Sequence, residues 1–293
     1  VTETTTDVLV AGPASWNTLV QLDALPEPHP HTLFARDHHA TVGGTSAGKA
    51  LNLAALGRTV ALRTVLGADD EGARVRDRLT AAGVRLLAEP APDGRTEKHL
   101  NLMDASGGRV SVYLQAPGEV PPAGPAWDAT LAAVDAARAV VVDLALHSLP
   151  VLAAARERGR DVWVDLHDDD GTTDFHRPWR EAGTHVFLSS DRLADHRAFM
   201  AERLDGGARL VVCTHGARGA TALTADGFLD VPASPVDDVI DTNGAGDGFF
   251  AGFLDAHLRG ATTAEAMAAG AAHAARVVRS PDLSPTAEGA ADR

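Results

Sequence analysis

A glycine-rich turn that runs straight into a helix constrains this chain more than any other feature. The stretch is Asp241-Thr242-Asn243-Gly244-Ala245-Gly246-Asp247-Gly248, followed by Phe249-Phe250-Ala251-Gly252-Phe253-Leu254. Its first half is too rich in Gly and Asp for a helix interior. Phe250, Phe253, Leu254 and Leu258 then recur at helical spacing up to a stop at Gly260. Such a helix start offers unpaired backbone N–H groups and the positive end of the helix dipole, together a site for an anion. Gly244, Ala245 and Gly246 are small enough for an anion to approach the backbone closely. Asp247 follows in the first turn. A carboxylate there would repel the anion, so its presence points to a chemical role, that of taking a proton from a substrate hydroxyl beside a phosphoryl group. Standing alone, a Gly-x-Gly-Asp string reads instead as a helix start with a capping acid.

The remainder of the chain supplies a scaffold. Near-continuous apolar runs such as Ala139-Val-Val-Val142 alternate with helical stretches from Asp128 onward, as expected for a parallel sheet covered on both faces. Strands are predicted at Asp7–Gly12, Val60–Val65, Val84–Ala88, Ala139–Leu144, Val162–Leu166 and His185–Leu188, with a hairpin over Thr221–Val231. Helices are predicted at Ser46–Leu56, Asp128–Arg138, Leu149–Arg158, Arg192–Leu204 and Thr262–Val278. Trp16–Leu22, Thr32–Val42 and a hairpin over 95–114, turning at Ala105-Ser-Gly-Gly108, are more polar and fall outside this pattern. They suit a small β-sheet lid that keeps water off a transferred group. The expectation is a three-layer α/β/α sandwich around a mostly parallel sheet: residues 1–12, 43–94 and 115–293 form the large domain, 13–42 and 95–114 the lid.

Composition narrows the function. With 293 residues the chain can bury a large core, and no apolar run is long enough to span a bilayer. Val1–Asp7 lacks a signal-peptide pattern, and the single cysteine, Cys213, fits a reducing compartment, so a cytoplasmic setting is expected. A formal charge of −14 argues against a nucleic-acid partner. His31, His38 and His39 read as a solvated edge, since no ligands at metal spacing accompany them. A polar tail from about Ser280 is expected to fray.

The string D-T-N-G-A-G-D-G-F-F-A-G-F resembles the C-terminal signature of the ribokinase-like (PfkB) sugar kinase family. Two further stretches are similar to that family's layout: Gly43-Gly44 before an Ala-rich helix, and Val211-Val-Cys-Thr-His-Gly-Ala-Arg-Gly219. The resemblance spans about Val8 to Val278. It implies an ATP-dependent kinase, with Mg²⁺, acting on a hydroxymethyl group of a small sugar or sugar-like acceptor. In that reading Asp247 is the base and the 244–246 backbone holds developing charge. Gly43 and Gly44 meet the acceptor, while Thr214, Gly216 and Gly219, with Gly246, lie under the nucleotide. Asp241 and Asn243 could hold K⁺, as in some relatives. His273 either edges the adenine or is a packed, satisfied histidine. A homodimer through the lid is also consistent with the resemblance.

One similarity misleads. Gly43-Gly-Thr-Ser-Ala-Gly-Lys-Ala50 nearly spells the phosphate loop G-x-x-x-x-G-K-[ST], but Ala50 has no hydroxyl for Mg²⁺. No apolar strand ending in a lone Asp is evident to complete such a site. Lys49 is then left as a point charge for a phosphate or an acceptor oxygen. Other positions depart from the family. Asn17 replaces its usual acceptor-binding acid, so Asn17 with Lys49 nearby favours an acidic acceptor. Gly48 replaces the usual Asn of the N-terminal signature. The N-x-x-E element is missing around Ser189–Leu193, with Asp191 and Asp195 the nearest substitutes. A nucleoside kinase, with Trp16 stacked on the base, and a non-catalytic sugar sensor are the alternatives.

Overall fold

In a computed structural model the described residues are 6–105 and 108–285. The N-terminal segment before Thr6, the hairpin tip at 106–107 and the last part of the tail lie outside them. From the N-terminus the elements are β1 (Val8–Ala11), β2 (Ser15–Gln21), β3 (Asp37–Gly43), α1 (Thr45–Ala55), β4 (Val60–Leu66), α2 (Asp70–Ala81) and β5 (Arg85–Pro90). Next come β6 (Lys98–Met103), β7 (Arg109–Gln115), α3 (Gly124–Ala136), β8 (Ala139–Val142), α4 (Leu149–Glu157), β9 (Val162–Asp165) and α5 (Arg177–Ala182). The C-terminal part holds β10 (His185–Ser189), α6 (His196–Asp205), β11 (Leu210–Thr214), β12 (Ala220–Thr224), β13 (Gly227–Val231), α7 (Ala245–Leu258) and α8 (Thr263–Val277).

Nine strands form one sheet in the order β13-β12-β11-β10-β9-β8-β1-β4-β5. It is parallel from β5 to β11 and antiparallel only in the β11-β12-β13 meander. The reason lies in the side chains. β1 and β8 are four-residue apolar runs buried throughout, which only a sheet covered on both faces can accommodate. On one face Val8, Val10 and Leu62 pack with Leu53 of α1, Phe250 and Phe253 of α7 and Met267 of α8. On the other, Leu9, Val140 and Val164 pack with Val134 of α3, Val151 of α4, Trp179 of α5 and Met200 of α6.

A second sheet of four strands, β3-β2-β6-β7, stands apart from the first. Asn17 of β2 lies opposite Thr41 of β3 and His99 of β6. Alternation puts Ser15, Asn17 and Leu19 on the buried face and leaves Trp16, Thr18 and Val20 on the other.

Several predicted boundaries shift, for physical reasons. The strand expected over Thr32–Val42 begins only at Asp37, because its partner β2 ends opposite that residue. The helix expected from Arg192 starts at His196, where Asp195 accepts the Ala198 N–H as N-cap. The start of the tail does not fray: Ser280, Leu283 and Ser284 are buried.

Candidate active site

The carboxyl ends of β1 and β8 meet the N-termini of α1 and α7. β1 lies between β8 and β4, so the chain leaves it in a different direction from its neighbours, where open α/β sheets commonly form a ligand crevice. The sequence places its glycine turns here.

The α7 loop takes the expected form. Gly244 is the N-cap, with φ of 79°, a conformation that favours glycine, and α7 begins at Ala245. Gly246 and Asp247 have backbone N–H groups with no acceptor among the described residues, which leaves them available to an anion. The Ala245 N–H is not available, because it closes a turn on the Thr242 carbonyl at 3.2 Å. Of the expected trio of amides that of Ala245 is therefore lost, and the Asp247 amide stands open beside that of Gly246. A Cβ on Gly246 would meet open space, so the approach to the loop is clear on that side.

Asp247 is buried, and its Oδ1 accepts a hydrogen bond from Lys49 Nζ at 2.9 Å. Lys49 itself is fully buried on α1, and its ammonium also lies 3.1 Å from Asp143 Oδ1 and 3.1 Å from Asp165 Oδ2. Three N–H donors thus face three carboxylates. Burial alone would lower the Lys49 pKa, but Asp143, Asp247 and Asp165 hold it well above the ordinary lysine value. Lys49 is fully buried inside this carboxylate cluster, and this corrects its reading as a free point charge.

Sequence reasoning misses the two other carboxylates. Asp143 follows β8 and Asp165 ends β9, so two apolar strands do end in an aspartate. The signal is present in Val-Val-Val-Asp143 and Trp-Val-Asp165, but these acids serve a buried lysine and not the phosphate-loop metal that the pattern suggests. Asp143 also accepts from Ser46 Oγ at 2.7 Å. Burial pushes the Asp165 carboxyl up, and His167 and Lys49 overcome this and bring it down to about 2. The Asp247 carboxyl is raised by burial, which the Lys49 charge only partly offsets.

Gly48 explains one departure from the family pattern. A Cβ there would come within 2.5 Å of Asp247 Oδ2, so only glycine leaves that oxygen clear. Gly43 and Gly44 join β3 to α1, and a Cβ on Gly43 would overlap the Asn17 side chain. Asn17 is buried on the inner face of the small sheet, its Oδ1 accepting from Ser15 Oγ at 2.8 Å. Trp16 lies on the opposite face against Arg74, 5.5 Å from the guanidinium, and is not placed to stack on a base in the site.

Thr214 ends β11, and its hydroxyl donates to the Leu188 carbonyl at 3.3 Å. Gly216 and Gly219 bracket a single turn after it, with φ of 57° and 100°. Asp191 accepts from Ser189 Oγ at 3.0 Å and Asp195 caps α6, and both stand exposed near the missing N-x-x-E element. His273 is not exposed to a nucleotide. It is buried between α8 and α1, bonded to Asn52 Oδ1 at 2.8 Å and to Arg276, and burial followed by Arg276 brings its pKa down to about 4. Asp241 Oδ1 accepts the Asn243 N–H at 2.8 Å, while its Oδ2 is buried without a partner among the described residues. The Asn243 side-chain oxygen is taken by Arg109 of β7 at 3.3 Å.

The model of the pfkB family carbohydrate kinases matches residues 180–288. The acarbose 7(IV)-phosphotransferase of Actinoplanes sp. is 34% identical over 262 residues, 87% of this chain and 86% of that protein. The ATP-dependent ribose-1-phosphate kinase of Halopiger xanaduensis is 31% identical, over 84% of this chain and 83% of that one. The solved structure of the microbiome-derived acarbose kinase Mak1 superposes with a TM-score of 0.82 at 30% identity, covering 94% of each chain. The chain belongs to the PfkB family of carbohydrate kinases. The family's chemistry is ATP-dependent phosphorylation of a sugar-type acceptor.

Proposed function

We propose that this kinase transfers the γ-phosphoryl group of ATP to a hydroxyl of a sugar-like acceptor held between the small sheet and α1, with Asp247 as general base. The observation that carries this reading is the pairing of two open amides, Gly246 and Asp247, with a buried carboxylate on the same helical turn. Lys49 fixes Oδ1, so Oδ2, which no donor among the described residues contacts, takes the acceptor proton. Burial raises the basicity of that carboxylate above the ordinary aspartate value, as suits a base. The amides and the positive end of α7 stabilise charge on the transferred group. Thr214, Gly216 and Gly219 form the floor under the nucleotide, and the small sheet acts as a lid.

Among the described residues no group of three or more His, Cys, Asp or Glu is arranged to hold a metal. The Asp143–Asp165–Asp247 cluster is filled by the Lys49 ammonium. Mg²⁺ therefore fits here as an ion that keeps several waters and comes with the ATP phosphates, neutralising their charge. K⁺ has one open ligand, Asp241 Oδ2, and rate stimulation by K⁺ over Na⁺ tests that assignment. Val110, Val112 and Leu114 are exposed on β7, on the sheet face opposite Asn17, and we assign a homodimer to this face. Sedimentation of a Val112→Lys variant as a monomer beside a dimeric parent checks it. No helix among the described residues is long and apolar enough to cross a membrane. ATP dependence and a lone buried cysteine favour a cytoplasmic setting.

Asp247→Asn tests the central claim. It should lower kcat by about 10²–10⁴ while changing the KM for ATP only a few-fold. A variant turning over at the parent rate would remove Asp247 from the chemistry.

A further inference from the structure

A chain of hydrogen bonds at the carboxyl ends of β10 and β11 takes no part in the chemistry assigned to Asp247. In the large sheet β10 and β9 lie between β11, which carries the Thr214 turn, and β8. The Ser189 N–H donates to the His167 carbonyl, just past Asp165, at 2.6 Å, and the Ser190 N–H donates to the Thr214 carbonyl at 3.0 Å. A triphosphate reaching from the Thr214 turn to the open amides of Gly246 and Asp247 therefore crosses Ser190, which is half-buried.

Behind Ser190 the hydrogens are fixed one after another. The Thr221 hydroxyl, and then Arg197, hold the Asp230 carboxyl below the ordinary aspartate value, so Asp230 only accepts. Thr221 Oγ1 gives its one hydrogen to Asp230 Oδ1 at 2.6 Å, and so accepts from His215 Nε2 at 3.0 Å. Burial keeps the His215 ring below the ordinary histidine value, so at neutral pH it carries a single proton, on Nε2. Nδ1 is then bare and accepts from Ser190 Oγ at 2.9 Å. The Ser190 hydrogen is turned inward, and its oxygen offers only lone pairs outward. A serine free to rotate would give its hydrogen to a phosphate oxygen; this one is locked as an acceptor.

The missing N-x-x-E element would supply an amide oxygen and a carboxylate, both acceptors. From the proposed kinase reading, on which this rests, we infer that Ser190, locked by His215, Thr221 and Asp230, stands in for that element, its oxygen accepting a hydrogen bond from the water shell of the Mg²⁺ that comes with ATP. His215 and Thr221 are positioning residues that act through Ser190. Mg²⁺ dehydrates reluctantly and keeps several waters, so an outward-facing neutral acceptor suits it without a carboxylate cage.

The test is calorimetric binding of ATP with Mg²⁺ and with EDTA; the ratio of the two affinities is the gain from the metal. Ser190→Ala should cut that gain about tenfold, as loss of an outer-shell partner does, while affinity in EDTA stays near the parent's and reports a folded site. His215→Phe frees the Ser190 hydrogen to face the phosphates, so the gain should fall by a similar factor while affinity in EDTA holds or rises. Thr221→Val should act in the same direction, and Ser190→Ala combined with His215→Phe should do no more than either alone. A gain that Ser190→Ala or His215→Phe leaves unchanged, or that Asp191→Asn removes instead, overturns the inference and leaves the kinase reading standing. The expected changes in a protein that forms no ADP with any of a panel of sugars overturn the kinase reading and leave the inference standing.

Discussion

A buried ammonium touching three carboxylates does two things for the one that reacts. It fixes Asp247 in place, and it keeps the carboxylate ionised against the pull of burial. As a base Asp247 works ionised, so activity is present above its folded pKa and lost as pH falls through that value. Burial has already lifted that value above the ordinary aspartate pKa. Around Asp247 stand Lys49 from α1, Asp143 beyond β8, and Asp165 and His167 at the end of β9. Lys49→Met removes the one full cation, so the Asp247 pKa rises further and the acid limb of kcat/KM moves up by roughly 1–3 pH units. Lys49→Arg keeps the charge and should keep the limb near its parent position. An acid limb unmoved in the Met variant would show that Lys49 is a packing residue only. Asp247 and its loop were legible in the sequence because small residues, a carboxylate and a helical apolar stripe are contiguous there. The cage was not: its members come from residues 49, 143, 165 and 247, and only the order of strands in the sheet brings them together.

The α7 loop rests on a segment that looks unimportant when read as sequence. After α8 the chain turns back over Ser280–Ser284, and Leu283 packs beneath Gly244. The Leu283 carbonyl accepts from Asn52 Nδ2 of α1 at 2.7 Å, the amide whose oxygen meets His273. Asp282 accepts from Thr41 Oγ1 of β3 at 3.3 Å and from Arg78 of α2 at 3.3 Å. One short segment therefore touches the anion loop, the helix that carries Lys49 and the small sheet. Leu283→Ala should leave a cavity and cost about 2–5 kcal/mol of stability. Without its support the loop loses its fixed geometry, so kcat should fall beyond what unfolding explains when assayed well below the melting temperature. Urea unfolding and turnover at about 20 °C, measured together, separate the two effects; a stable variant with full kcat would mean the loop holds itself. The sequence hid this element because a single buried leucine among Ser, Pro and Asp has no periodicity to report.

Across the whole molecule, several buried histidines are held neutral by the fold, and three of them, in separate places, show it most strongly. His147 lies against Arg63 between β4 and α4, His185 stacks on Trp163 at 4.1 Å between centroids, and His273 joins α8 to α1. Burial is the leading cause in each, bringing His147 down to about 3 and both His185 and His273 down to about 4. In the unfolded chain each recovers the ordinary histidine value near 6.5. The unfolded state therefore binds more protons once pH drops below that value, and stability falls as pH is lowered from about 6.5 toward 4. Each histidine should cost about 1 kcal/mol between pH 6.5 and 5.5, by linkage. The buried acids Asp247, Asp241 and Glu89, whose carboxyls are raised, work in the opposite direction at the lower end. The upper part of the window is therefore where the histidines show most clearly. Urea midpoints taken at about pH 7.0, 6.0 and 5.5 should decline together with the fitted stability. A midpoint that stays level or rises over that range would mean that these histidines are already charged in the native protein, and that their burial is compensated by contacts other than those described.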